Sequence, residues 1–353
     1  AAAVLGEAVD GTVVQEVAGL TDDAACTALA EALACGLLRE DDKGQVTFRH
    51  VLPGRAVYEA IPAVERRRLH LRAGDVLERL TPPPVLQLTR HFRAANDGRR
   101  WATYAEQAAE VAVASGDHGS ATVLLHDLLT GADLPLDDQV RLARKLALAA
   151  MFRRDSIDDL HSRIVRILRG LVDGGRLAPH QDGELRSALG LLLAQQGELE
   201  AARAELELAV PNLDHRPAEA ARAMAYLGIP FIGHRPGSVH LRWLRRVAQL
   251  DTSALPPAER LGLTVDRAGG LLLLGDETGW AVAAQIPTTA ETAEERRQVV
   301  RGHLNVGTAA VRWGLYPQAR SRLLTALELA EADGHLRVRA KIQVALAQLD
   351  WYT

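Results

Sequence analysis

The side chains that could do chemistry in this sequence are histidines, cysteines, hydroxyls and carboxylates, and their spacing decides whether they form a site. The twelve histidines are not spaced from cysteines or acidic residues in the way that metal ligands are. Cys26 and Cys35 lie nine residues apart on one predicted helix and on opposite faces of it, so we expect reduced, buried thiols. No motif supports a Ser/His/Asp arrangement. We therefore expect no metal site and no catalysis within this chain.

A phosphate-binding loop is also missing from the sequence. Such a loop ends in Gly-Lys-Ser or Gly-Lys-Thr, between a strand and a helix. None of the three lysines, Lys43, Lys145 and Lys341, follows a glycine-rich turn of this kind. We expect no cofactor bound by this chain alone.

The composition predicts a helical protein that binds neither nucleic acid nor a membrane. Hydrophobic residues make up 48% of the 353 residues but aromatic residues only 4%, a balance typical of Ala/Leu helix packing. The net charge of −4 gives no basic field for nucleic acid. We find no signal-peptide pattern and no apolar run of about 18 residues, so we expect a cytoplasmic protein with no membrane contact.

The stretch 189–210 contains the pattern that organises the chain. Gly190 lies within one apolar helix, and the residues at offsets of 7, 12, 16 and 19 from it are Gly197, Ala202, Leu206 and Ala209. The same offsets recur from Ala109, Gly228 and Gly307, with weaker copies from Ala147 and Gly269, so the turns fall at 116, 154, 197, 235, 276 and 314. This period is typical of a helical-hairpin array. We expect the small residues to let two helices approach closely while Leu fills the neighbouring gap.

The pattern resembles somewhat lengthened tetratricopeptide repeats (TPRs). It predicts helical hairpins at 98–131, 137–170, 182–212, 217–250, 257–286 and 295–331, with a last helix from 335. Pro230 is expected inside a first helix and should kink it. The predicted fold class is all-α, a TPR-like superhelix of helical hairpins preceded by a small winged-helix domain.

The first 62 residues differ from the repeats. Helical patterns over 1–9, 12–19 and 22–35 are followed by a strand pair at 37–39 and 46–49 and a helix over 53–61. Helices followed by a β-hairpin are typical of a winged helix. We therefore predict a winged-helix domain over 1–62, connecting helices over 63–97 and a repeat domain over 98–353.

Four landmarks in this region carry a second resemblance: Phe48-Arg49-His50, Arg55-Ala56-Val57-Tyr58, Arg68-Leu69-His70 and Leu88-Thr89-Arg90-His91-Phe92. Their order resembles the segment after the ATPase core in large ATP-binding regulators of the LuxR type, in the STAND class of NTPases. The resemblance spans the whole chain. It implies an NTPase domain that binds ATP and ADP before this region, and a helix-turn-helix domain that binds DNA after it. Because the chain begins and ends inside helical patterns, we expect it to be a fragment of such a protein.

The resemblance also implies two sets of site residues. His50 is expected to contact nucleotide phosphate when the NTPase domain is present; the alternative is that it only packs between the wing and a helix. In a TPR superhelix the first helix of each hairpin lines the concave groove. Counted from the repeat landmarks, the groove residues are Arg222, Ile229, Ile232, Asp266, Leu273, Arg301, Thr308, Val311 and Arg312. The alternative for each of these is ordinary packing between helices.

The predicted function is that of a sensor region of a transcriptional regulator. A small-molecule effector, or a protein or peptide partner, would bind the groove and shift an ATP/ADP switch, with oligomerisation to follow. One alternative is a TPR scaffold for protein–protein contact only; another is a sensor region attached to a nucleotide cyclase or kinase. A closed apolar pocket would favour the effector, and an open groove would favour the scaffold.

Overall fold

The computed structural model describes residues 1–20, 22–151, 159–332 and 336–353. These residues form nineteen α-helices and three short strands, so the predominantly helical fold class is confirmed. The chain divides into two compact units, Ala1–Ser156 and Ile157–Thr353. Each unit is described by itself below.

Within its described residues, the first unit contains nine helices and a small sheet. Its elements are α1 Ala2–Leu5, β1 Val9–Asp10, α2 Gly11–Ala18, α3 Asp22–Ala34, β2 Leu38–Glu40, β3 Gln45–Phe48, α4 Val51–Ala60, α5 Ala63–Leu77, α6 Val85–Ala95, α7 Gly98–Ala114, α8 His118–Gly131 and α9 Leu136–Met151.

The sheet is antiparallel, with β3 between β1 and β2. The β2–β3 hairpin lies where the sequence predicts it, and the Asp41 carboxylate closes its turn by accepting the amides of Lys43 and Gln45 at 2.9 Å each. The helix predicted over 1–9 is too long, because α1 ends at Leu5 and the next residue, Gly6, adopts the left-handed conformation. Val9 then pairs with Val46 as strand β1. A two-residue strand of this kind depends on its partner and leaves no period in the sequence.

The cysteines differ from the expectation of buried thiols. Both Cys26 and Cys35 are free, as expected, but both are exposed. Among the described side chains of α3 only Ala25 is buried, so this helix shows most of its surface to solvent.

The second unit consists of helices that pack against the next one or two helices in sequence. They are α10 Leu160–Asp173, α11 Pro179–Gln196, α12 Leu199–Ala209, α13 Pro217–Leu227, α14 Gly237–Ala248, α15 Pro257–Leu273, α16 Thr278–Ala283, α17 Ala293–Arg312, α18 Tyr316–Ala332 and α19 Leu336–Tyr352. The pairs α11–α12, α13–α14, α15–α16 and α17–α18 lie within a few residues of the predicted hairpins. In the hairpin predicted at 137–170 the turn position Arg154 lies outside the described residues.

The close approach expected at the repeat glycines is confirmed. In three hairpins, a Cβ atom added to the glycine would clash with the side chain of the leucine sixteen residues later. The distance between the two atoms would be shorter than any that real Cβ atoms show. These distances are 2.7 Å from Gly190 to Leu206, 2.8 Å from Gly307 to Leu323 and 2.3 Å from Gly228 to Leu244. Glycine and leucine therefore form one interlocking contact in each of these hairpins.

The kink expected at Pro230 is wrong. Helix α13 ends at Leu227, where the Gly228 amide donates to the carbonyls of Met224 and Ala225. Pro230 follows in the segment 228–236 that leads to α14. Proline disfavours helical conformation in the residue before it and cannot donate to the preceding turn, so the helix stops instead of bending.

We expect Gly190→Ala to lower the free energy of unfolding by about 1–3 kcal/mol, because the added methyl group forces Leu206 or the backbone of α12 to move. The matched control is Gly170→Ala in α10, where an added Cβ meets no atom within 4 Å. Removing a helix-interior glycine without a clash should raise stability by about 0.5–1 kcal/mol. Urea unfolding measures both variants, and equal changes in the two would contradict the interlocking contact.

Candidate functional site

A cleft of about 420 Å³ lies in the second unit, between helices from successive hairpins. Its walls come from the segment after α13, from α15 and α17, and from the last helix, α19. The buried glycines Gly269 and Gly270 of α15 contribute no side chain and leave space beside this helix. A cleft of this volume lies within the range of small-ligand sites, about 300–1,000 Å³.

Much of the cleft wall is apolar, and two of its apolar side chains are largely exposed. Phe231 is 59% exposed and Val344 is 68% exposed. The partly buried apolar residues that complete this wall are Ile229, Leu273, Leu304 and Ala345. Exposed aromatic and aliphatic groups on a concave surface are typical of a binding site, because a ligand removes them from water.

The segment 228–236, which carries Ile229 and Phe231, is held by two fully buried polar side chains. Arg203 of α12 donates from Nη1 to the carbonyl of Ile232 at 2.9 Å, and its Nη2 lies 2.9 Å from Glu207 Oε1. His240 of α14 donates from Nδ1 to the carbonyl of Leu227 at 2.9 Å. These bonds hold the backbone of the segment on both sides of Phe231 and so determine the position of Phe231.

The charged residues of the cleft fall into two groups. Asp266 forms an ion pair with Arg301, which also donates to the carbonyl of Gly262 at 3.1 Å. Arg312 and Lys341 line the same cleft, and within the described residues neither has a carboxylate or hydrogen-bond partner. Among the described residues, the one carboxylate of the wall is therefore neutralised, and the two cations have no acidic partner.

Five of the nine predicted groove residues line this cleft: Ile229, Asp266, Leu273, Thr308 and Arg312. Two others, Arg222 and Arg301, form ion pairs between first helices, the former with Glu259 at 3.8 Å. The last two, Ile232 and Val311, are buried, with 2% and 9% exposure, and pack in the interior as the alternative interpretation expects.

The sequence reasoning missed the residues outside the repeat register. Phe231 lies in the loop after α13, and Lys341, Val344 and Gln348 lie on α19, which the repeat count treats only as a last helix. Leu304 and Asn305 lie on α17 and could have been found, since they are one turn before Thr308 on the predicted concave face.

His50 lies in the first unit at the junction between β3 and α4. It occupies the N-cap position of α4, its side chain is exposed, and it forms no hydrogen bond with any described residue. The next two residues, Val51 and Leu52, are 85% and 78% exposed. The structure thus leaves His50 accessible beside an exposed apolar pair.

A chain of hydrogen bonds through two buried histidines lies near this junction. His91 Nδ1 is 2.9 Å from His70 Nδ1, and His70 Nε2 is 3.0 Å from the hydroxyl of Tyr58. Arg90, which can only donate, lies 3.4 Å from His91 Nε2. His91 therefore carries its proton on Nδ1 and donates to His70, which donates from Nε2 to Tyr58. Tyr58, His70 and Arg90 also line a second cavity, of about 360 Å³.

Both histidines of this hydrogen-bond network, His70 and His91, are difficult to protonate. Burial, assisted by the nearby Arg90 guanidinium, lowers the pKa of His70 to about 4 and that of His91 to about 3. Each imidazole is neutral at pH 7, as the donor–acceptor order requires. Together with Tyr58, the pair joins α4, α5 and α6 through one polar network.

Within the described residues, no three histidine, cysteine or acidic side chains converge as metal ligands would. The same part of the chain has no helix with the length and apolar character that crossing a membrane requires.

Comparison with solved structures supports the helical-repeat fold. One neighbour is a signal transduction ATPase with numerous domains (STAND) protein with a tetratricopeptide repeat sensor, from Pyrococcus horikoshii. It matches 97% of this chain with a TM-score of 0.50 and 13% sequence identity, and this chain spans 52% of its length. At that identity the likeness shows a shared fold. A circular tandem repeat protein also aligns, at 16% identity over 85% of this chain and 77% of its own, with a TM-score of 0.18. No protein-family model and no curated protein matches this chain.

We expect the first unit to lose stability as the pH falls from about 6.5 to about 4. The unfolded chain takes up protons on His70 and His91 near pH 6.5, whereas the folded chain does so only near the lowered pKa values of about 4 and 3. The unfolded state then binds more protons, and the free energy of unfolding decreases with falling pH. Urea unfolding between pH 7 and pH 5 measures this slope.

The variant His91→Asn should flatten that slope, because one of the two titrating groups is removed. Burial also lowers the pKa of His240 and His303 in the second unit, so part of the slope will remain. The control is Thr122→Val, which removes the buried hydroxyl bond to the His118 carbonyl but no titrating group. A slope that is unchanged in His91→Asn would contradict the assignment.

Proposed function

We propose that this chain is the regulatory sensor region of a STAND-class, LuxR-type transcriptional regulator. Two independent observations support the class. The sequence landmarks around His50, Tyr58, His70 and His91 follow the order seen in such regulators, and a STAND protein with a TPR sensor shares the fold over 97% of the chain. In this proposal the chain itself is not an enzyme.

The sensor binds its effector or partner in the cleft of the second unit, and this cleft is the observation that carries the proposal. Five residues that the repeat register alone predicts as groove residues line this one cleft. Its volume of about 420 Å³ suits a small-molecule effector, and its apolar walls with a few polar groups match the usual chemistry of such sites. Binding shifts a switch only if the two states of the protein differ in affinity for the effector.

The first unit couples the effector to the nucleotide switch. We propose residues 1–62 as a winged-helix domain, 63–97 as connecting helices and 98–353 as the sensor domain. His50 is accessible at the start of α4, where its imidazole can donate a charge-assisted hydrogen bond to a phosphate of ADP held by the protein's own NTPase domain. Release of that contact permits ATP exchange and oligomerisation, and DNA is bound through a C-terminal domain.

A scaffold for a protein partner is the second candidate function. The exposed positions of Phe231 and Val344 favour it, because exposed apolar side chains at the cleft rim can pack against the folded surface of a partner protein. The two candidates differ in what remains bound to the purified protein.

We expect native mass spectrometry of the purified chain to reveal a bound small molecule that is lost on denaturation. The variant Gly269→Leu should abolish this mass difference. A Cβ at this position meets only Asn305, at 3.7 Å, so the added side chain enters the cleft without a backbone clash. The matched control is Gly170→Leu, at a position where an added Cβ meets no atom within 4 Å and which does not line the cleft.

The outcomes separate the two candidates. A bound mass that is lost in Gly269→Leu and kept in Gly170→Leu supports the effector site. A clean protein mass that changes only when a partner protein is added supports the scaffold. A bound mass that both variants retain would place the ligand elsewhere and overturn the cleft as the sensor site.

A further inference from the structure

Building on the proposed function, we infer the chemical class of the cleft ligand. We propose that it is a small organic anion, with one carboxylate or phosphate headgroup on an aliphatic or aromatic body. Carboxylate and phosphate share the chemistry that the cleft recognises, and the experiment below distinguishes them.

The charge balance of the cleft calls for an anion. Its one acidic side chain, Asp266, already pairs with Arg301. Arg312 and Lys341 have no acidic partner among the described residues, although both line the same space. An anion placed between them would gain two charge-assisted contacts, whereas a cation would be repelled by both.

Helix geometry explains only one of these two cations. Arg312 is the last residue of α17, where the partial negative charge of a helix end favours a basic side chain. Lys341 lies well inside α19, which runs over Leu336–Tyr352, so no helix end accounts for it. Helix ends therefore do not explain why two cations from different helices line the same cleft. We attribute the second cation to the ligand that the cleft binds.

The apolar surface defines the rest of the ligand. Phe231 and Val344 are more than half exposed, and Ile229 and Leu273 extend this surface toward Gly269. Covering exposed apolar surface removes it from water and so favours binding. A ligand with an aliphatic or aromatic body can cover these side chains while its headgroup remains near Arg312 and Lys341.

The walls are poorly suited to a polypeptide. They come mostly from helices, whose backbone groups are already hydrogen-bonded within the helix, whereas each peptide residue carries one donor and one acceptor that need partners. Asn305 and Gln348 are the amide side chains on the wall, and within the described residues neither forms a hydrogen bond. Two amides cannot satisfy an extended backbone, so the cleft suits a body without repeated polar groups.

The experiment is isothermal titration calorimetry of the chain with four probes that share an eight-carbon body: octanoate, octyl phosphate, octanamide and octylamine. We expect octanoate and octyl phosphate to bind at least about tenfold more tightly than octanamide, and octylamine to bind least. Whichever anion binds more tightly identifies the preferred headgroup. Raising the salt concentration should weaken the binding of the two anions and leave the binding of octanamide unchanged.

The double variant Arg312→Gln/Lys341→Gln should remove the preference for the anions and leave octanamide binding intact. Its matched control, Arg320→Gln/Arg339→Gln, removes two positive charges outside the cleft, where Arg320 pairs with Asp350 and Arg339 with Glu331. The control should keep the preference. The charge-reversed variant Arg312→Glu/Lys341→Glu should prefer octylamine.

Each remaining outcome overturns the inference, and the outcomes separate it from the proposed function. If all four probes bind equally and Gly269→Leu abolishes binding, the cleft is a ligand site but the anion class is wrong. If the two double variants lose the preference equally, the effect is one of net charge and not of the cleft. If no probe binds at millimolar concentration, the anion class is wrong, and the mass measurement with Gly269→Leu then decides the cleft itself.

Discussion

The close approach of two helices at a glycine is the contact on which the hairpins of the second unit depend. In the hairpins of Gly190 and Gly307 the leucine sixteen residues later fills the space that a Cβ would take. Two helices that meet this closely fix their crossing geometry, and each hairpin then presents the same face to the next one. The regular stacking of these hairpins is a consequence of this repeated contact.

The cleft forms where one hairpin departs from that repeat. Between α13 and α14 the Gly228–Leu244 contact is kept, but the first helix stops early and His240 replaces the small residue that the repeat expects. The space is filled by polar anchors: His240 bonds the end of α13, and the buried Arg203 guanidinium bonds the carbonyl of Ile232. A buried cation is costly, so Arg203 depends on its carbonyl bond and on its ion pair with Glu207, and these contacts hold the loop in one position. The irregular hairpin thereby projects Phe231 where a regular one would continue its helix.

This difference explains how far the sequence could predict the structure. The hairpin bounds and the Gly–Leu contacts follow from a period of about forty residues. The same period predicts Asp266, Leu273 and Thr308 as groove residues, and all three line the cleft. Phe231 and Lys341 could not be found in this way, because a loop and a terminal helix carry no repeat register. The same limit applies to His70 and His91, which are 21 residues apart on different helices and meet only through the packing of α5 against α6. Strand β1 is similar, since two residues become a strand only where β3 offers its edge.

In the part of the chain that the structure describes, charged side chains on the first helices are paired at one end of the cleft and unpaired at the other. Arg222 pairs with Glu259 and Arg301 pairs with Asp266, so ion pairs join α13 to α15 and α15 to α17. Among the described residues, the next step of this series, from α17 to α19, has no such pair, since Arg312 and Lys341 carry the same sign. Helix α19 is held there by apolar contacts, with Ile342 and Leu349 fully buried. In the proposed function, an anion between Arg312 and Lys341 supplies the missing counter-charge and stabilises the arrangement in which α17 and α19 share one cleft. In that proposal, the position of α19 is the element through which ligand binding alters the state of the sensor, because there the ligand adds a counter-charge between two helices that otherwise meet through apolar contacts.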